Sequence, residues 1–220
     1  MARTANTGRT YRGKAAGDRN ALRRARFFEA GLELFGTNGF TSITVKALCT
    51  EARLTERYFY ESFDNREQLF MEVAARCVAG LMARLTAVHG KVGAEIDLLP
   101  RAMLEAFFRW FEEDPRRARI QLVEPLVMGP RFHSLYRDVT AMFVDMLRTT
   151  SLRRYEATLR ARQLDPDILA TALVGAAVEI VKEWMLGGFK KPLDDLVRTM
   201  AFLVDALAPE PAARRAKVQP

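Results

Sequence analysis

The stretch from Thr44 to Arg66, TVKALCTEARLTERYFYESFDNR, carries two helix-start signals eleven residues apart, and that spacing leaves the chain few folds to choose from. Thr44 offers a side-chain oxygen to the unpaired N–H groups of a first helical turn, with Ile43 and Leu48 at the offsets of a hydrophobic staple. Thr55 repeats the arrangement with Leu54 and Phe59. Two short helices joined by a tight turn make a helix-turn-helix. The second helix would present Thr55, Arg57, Tyr58 and Tyr60, all able to donate hydrogen bonds to base edges or phosphates, and turn Leu54, Phe59 and Phe63 inward.

Thr44-Val45, the small Ala52, Leu54-Thr55, Phe59-Tyr60, and Phe63 followed by Arg66 and Leu69 resemble the signature of TetR-family transcriptional regulators. The resemblance is detailed from Phe27 to Phe70 and extends in helix layout over most of the chain. It implies an all-α fold in which an N-terminal three-helix DNA-binding domain with a helix-turn-helix precedes a larger helical domain for ligand binding and dimerisation. One position departs from it. The family usually carries glycine where this chain has Arg53, and a left-handed turn costs an L-residue roughly 1 kcal/mol.

The chemistry of the side chains divides the expected DNA contacts. Arg57 and Tyr58, near the start of the second helix, are placed for base edges, and an arginine can bind guanine through two hydrogen bonds. Thr44, Thr55, Tyr60 and Arg66 are placed for phosphates, and Lys46, Arg53 and Glu56 complete the set. Charge distribution points the same way. Eight cations against Asp18 alone give the first 26 residues the whole net charge of +7. Such a run is a solvated tail in many proteins, but here it leads into the DNA-binding helices.

The expected domains are a disordered basic arm (1–18), the DNA-binding domain (19–64), an effector-binding and dimerisation domain (65–208) and a disordered tail (209–220). Gly8, Gly13 and Gly17 interrupt the arm, which lacks apolar periodicity. From Arg19 the residues Leu22, Ala25, Phe28, Leu32 and Phe35 recur at helical spacing, up to a stop at Asn38-Gly39. A long fourth helix starts at Asp64 or Asn65, with Glu67 or Gln68 closing a capping box, and runs to His89-Gly90. Helices follow at roughly 97–113, from Asp114-Pro115 to Gly129-Pro130, and from about Phe132 to Ala161. The last two, about 166–187 and 192–208, carry broad apolar stripes. By the resemblance these stripes form a homodimer interface; alone they would serve an intramolecular core equally well.

Other chemistries find little support. His89 and His133 belong to no metal-spaced cluster, and there is no Gly-rich phosphate loop, CxxC pair or nucleophile elbow. Neither an enzyme nor a cofactor is expected. Cys49 and Cys77 sit in amphipathic helices as packing residues. No apolar run approaches the roughly 20 residues of a membrane span, so no membrane partner and a cytoplasmic location are expected.

The resemblance implies an effector cavity, with Phe107, Trp110, Phe111, Met128, Phe132, Met142, Phe143, Met146 and Trp184 as candidate walls for an apolar small molecule. Glu124, Arg119, Gln121 or Glu179 would orient a polar group. The expected function is a ligand-responsive regulator of transcription, a homodimeric repressor of a palindromic DNA operator. Its competitors are a non-specific DNA-coating protein and, further off, an all-α small-molecule enzyme.

Overall fold

The computed structural model describes residues 8–92 and 98–206, and every regular element among them is helical. The chain divides into two compact units between Cys77 and Val78. The first holds α1 (Gly8–Asn38), a 3₁₀ turn (Phe40–Ser42), α2 (Val45–Ala52), α3 (Glu56–Tyr60) and the opening of α4 (Arg66–Val92). This division lies beyond the expected boundary at residue 64. Its cause is packing, since Phe70 meets Phe35 and Phe40, while Leu69 and Val73 lie against Gly31.

Six phenylalanines build the first core as two triads. Phe27, Phe59 and Phe63 meet at 5.3–6.0 Å between centroids, and Phe35, Phe40 and Phe70 at 5.5–5.6 Å, mostly edge to face, the geometry that ring quadrupoles favour. Arg24 fastens this core from above. Its guanidinium lies 4.6 Å from the Phe63 ring centroid, donates to the Ser62 carbonyl and reaches Glu72 Oε2 at 2.6 Å, so α1, the end of α3 and α4 share one cation.

Helix termini follow the expected chemistry in part. Asn65 Oδ1 accepts from the Gln68 N–H at 2.9 Å while Gln68 Oε1 accepts from the Asp64 N–H at 2.5 Å, a reciprocal cap at the head of α4. The expected arm and stops need correction. Helix α1 begins at Gly8 rather than Arg19, because extending a nucleated helix gains a hydrogen bond per residue without a new nucleus, and Ala15-Ala16 propagate well. His89-Gly90 does not end α4, which continues to Val92; one glycine weakens a helix without breaking it. Residues 1–7 and the expected tail 209–220 lie outside the described residues.

The second unit contains α5 (Leu99–Glu113), α6 (Arg116–Ala118), a π turn (Arg119–Val123), α7 (Glu124–Val127), α8 (Pro130–Leu147), a second π turn (Arg148–Leu152), a 3₁₀ turn (Arg153–Tyr155), α9 (Glu156–Ala161), α10 (Pro166–Leu186) and α11 (Leu193–Asp205). The single helix expected from Phe132 to Ala161 is therefore broken after Leu147. The wider π turn places Ser151 and Leu152 inward together. Asp165 caps α10, accepting from the N–H groups of Asp167 (2.8 Å) and Ile168 (3.2 Å).

The apolar stripes of the last two helices divide between inside and outside. Leu196, Val197 and Met200 of α11 join Leu99, Met103 and Phe108 of α5 in the core, along with Val181 and Trp184 of α10. Most of the α11 stripe is thus intramolecular. Ile168, Leu186, Phe202 and Leu203 remain exposed, and a side chain at Gly175 would meet nothing within 4 Å.

Two glycines of α4 separate helix propensity from packing. A Cβ on Gly80 would lie 2.5 Å from the Trp110 ring, whereas one on Gly90 meets open space. Gly80→Ala is expected to destabilise the protein by about 1–3 kcal/mol although alanine is the better helix former. Gly90→Ala is expected to stabilise it by up to about 1 kcal/mol. Urea denaturation of the two variants against the parent checks both signs.

Candidate nucleic-acid interface and cavity

Helix α2 is set by the predicted cap, with Thr44 Oγ1 accepting from the Ala47 N–H at 3.1 Å. Leu48, Cys49 and Ala52 are buried, while Thr44, Lys46 and Arg53 are exposed. Burial pushes the Cys49 thiol above its ordinary value, and the Glu56 carboxylate pushes in the same direction, as suits a packing residue.

The turn to α3 is a Schellman motif. The Leu54 N–H donates to the Cys49 carbonyl (3.0 Å) and the Arg53 N–H to that of Thr50 (3.2 Å), with Arg53 left-handed at φ 53° and ψ 45°. The turn therefore keeps the geometry that glycine usually supplies, and the arginine bears its steric cost. Thr55 occupies the N-cap position of α3, but its side chain makes no capping bond. That corrects the expected repeat of the Thr44 cap and leaves the hydroxyl free to face a ligand.

Helix α3 is only five residues long, and Phe59 is its one buried side chain. Thr55, Glu56, Arg57 and Tyr60 line its exposed side. The Arg57 side chain is 84% exposed and donates through Nε to Glu61 Oε1 at 3.0 Å, an exposed pair that contributes little and can exchange for another acceptor. Tyr60 is 59% exposed, with its ring edge on Phe59.

Two predicted contacts have work inside the domain. Tyr58 is half-buried, with the Arg23 guanidinium 4.5 Å from its ring centroid. Arg66 lies 4.5 Å from the Phe40 ring centroid and donates to the Ile43 carbonyl, with Phe40 O at 3.5 Å. It ties the head of α4 to the loop before α2. Arg23 and Arg24 of the basic run are likewise engaged in packing, while Arg19 and Arg26 are exposed.

The second unit contains a partly open cavity of about 120 Å³. Four of the nine candidate wall residues line it, namely Phe107, Phe111, Phe143 and Met146, together with Gln121. The other five lie elsewhere. Trp110 packs on Gly80, stacks with Arg117 at 3.8 Å and donates its indole N–H to Gln121 Oε1 at 3.2 Å. Trp184 is core, donating to the Lys191 carbonyl at 2.9 Å and packing on Phe108 and Phe189. Met128, Phe132 and Met142 are partly or largely exposed and line no part of this cavity.

Sequence reasoning missed the aliphatic and hydroxyl walls, among them Leu81, Leu85, Tyr136, Thr150 and Ser151. Leucines at helical spacing carry no mark that separates cavity from core. Among the described residues no group of His, Cys, Asp and Glu could hold a metal, and no helix is long and apolar enough to cross a membrane.

Replacing Arg53 by glycine removes the left-handed penalty, so Arg53→Gly should raise stability by about 1 kcal/mol, measured by urea denaturation. A loss of stability would mean that the arginine side chain holds the turn.

Known proteins resemble this chain in sequence and in fold. Residues 27–73 match the family model described as bacterial regulatory proteins, tetR family. The uncharacterized HTH-type transcriptional regulator YdgC of Bacillus subtilis (strain 168) is 21% identical over 190 residues, covering 85% of this chain and 93% of that protein. The fatty acid degradation regulator FadR from Bacillus halodurans superposes with a TM-score of 0.71 at 14% identity, over 86% of this chain and 96% of that one. FadR from Bacillus subtilis, in complex with stearoyl-CoA, gives 0.68 at 12% identity, over 84% and 99%.

Proposed function

We propose that this chain, a member of the TetR family of bacterial regulatory proteins, is a homodimeric repressor whose hold on a palindromic DNA operator is released by a small, largely apolar ligand. The observation that carries the reading is the exposed edge of α3. Thr55, Arg57 and Tyr60 face outward from a helix fixed by Phe59, and none is committed to the core.

In this reading Arg57 reads base edges, while Thr44, Lys46, Arg53, Thr55 and Tyr60 hold phosphates and set the register. Tyr58 braces α3 against Arg23 of α1, and Arg66 ties the head of α4 to the loop before α2. The exposed stripe of α10, with Ile168 and Leu186 at its ends and Ala172 and Gly175 between, supports its use as a dimer face, because small residues let helices approach closely. Phe202 and Leu203 of α11 are exposed as well.

The cavity serves as the effector site. Its lining contains no charged side chain, which favours binding over catalysis. That a structural neighbour holds stearoyl-CoA supports an effector with an apolar body. Helix α4 contributes Leu69 and Phe70 to the first core and Leu81 and Leu85 to the cavity, so one continuous helix can report occupancy to the reading unit. The protein works on cytoplasmic DNA.

Selection of bound duplexes from a random pool tests the reading. A preferred palindrome is expected, and Arg57→Ala should reduce discrimination at one base position per half-site by about 1–3 kcal/mol. Binding indifferent to sequence, falling steeply with salt, would instead favour a DNA-coating protein.

A further inference from the structure

We infer that the effector of this cavity is an uncharged molecule with an apolar body and a hydrogen-bond-accepting group, such as an ester, ketone or lactone, read by Gln121 and Ser151. The inference rests on the proposed use of the cavity as an effector site.

Both residues lie in π turns. The wider π turn at Arg119–Val123 buries Ile120, Gln121 and Leu122 in succession, and that at Arg148–Leu152 buries Ser151 and Leu152. A regular helix lying on one face of a core buries adjacent pairs, as α4 does with Leu69 and Phe70, but would turn one of the three residues 120–122 outward. The two π turns bring Gln121, at 8% exposure, and Ser151, at 2%, to a mostly apolar cavity.

Donor and acceptor chemistry then selects the ligand. The Trp110 indole can only donate, so its bond fixes the oxygen of the Gln121 amide toward Trp110 and leaves the NH₂ group as what Gln121 offers. The Ser151 hydroxyl makes no side-chain hydrogen bond to any described residue. Thr140 and Thr150 already donate to the carbonyls of Tyr136 and Met146 in their own helices. The Gln121 NH₂ can only donate, and the Ser151 and Tyr136 hydroxyls can donate as well as accept, so an acceptor on the ligand can be met by each of these groups, and a buried donor gains from an acceptor. With no Lys, Arg or His in the lining, a carboxylate would lose its water without a cation to replace it.

The test compares methyl octanoate, octanoate and nonane, which share an apolar chain and differ in the polar end. Apparent affinities come from the ligand-dependent rise in the thermal midpoint of the full chain at neutral pH. The ester should bind about tenfold more tightly than nonane, and octanoate more weakly than the ester. Gln121→Met and Ser151→Ala should each shrink the ester-to-alkane ratio while preserving nonane affinity, which also shows that the variants remain folded.

The inference is overturned by a preference for octanoate, by an unchanged ratio in both variants, or by no response to any of the three. Duplex release measured on the same samples separates the two proposals. An ester that binds by these rules without loosening DNA removes the effector reading alone, and release driven best by octanoate removes this inference alone.

Discussion

A helix of five residues has too few internal hydrogen bonds to stand in water, so α3 exists only because Phe59 is held. Phe27 and Phe63 hold it, with Arg24 lying over Phe63 and binding Ser62 and Glu72. Everything proposed for the DNA-facing surface depends on that anchorage. Thr55, Arg57 and Tyr60 face outward because the one inward side chain between them fixes both the helix and its rotation. Rigid support allows an exposed arginine to discriminate between bases instead of merely attracting phosphates.

The second unit answers a different demand. It must remain folded around a cavity, whose unfilled space costs packing energy. The cost is met by a core that continues beyond it, through Phe108, Trp184, Val197 and Met200. At the C-terminal end of α5, Arg84 and Glu113 form two parallel hydrogen bonds between α4 and α5, and this bonding to Arg84, with the nearby positive charges, holds the Glu113 carboxyl below its usual range. The two π turns then add polarity at chosen points. In the proposed effector site, leucines and phenylalanines would set the shape and a few polar groups the chemistry.

Much of the first unit was legible because its signals are local. Thr44 caps, Asn65 and Gln68 close a box, and Phe59 and Phe63 point inward as their spacing requires. Thr55 looked like a second Thr44, but cap position and cap bond are different properties, and the bond depends on a rotamer that sequence does not encode. The tether of Arg66 to Ile43 was not legible, because it joins residues far apart in the chain. The cavity was the least legible part. Its wall is a property of packing, so an aromatic at helical spacing is equally a core residue, as Trp184 is, or a lining residue, as Phe143 is. The π turns left no sequence signal at all, and the helix expected to pass through Ser151 breaks there.

In the proposed complex α3 reads one half of a two-fold site, with a second copy reading the other. Hydroxyl-radical footprinting of the full chain on a duplex that it selects tests this most directly, because it reports register and symmetry together. Two protected patches related by two-fold symmetry are expected, their centres one helical turn apart, about 34–36 Å, or a multiple of that. A single patch, or uniform protection without a boundary, would contradict it.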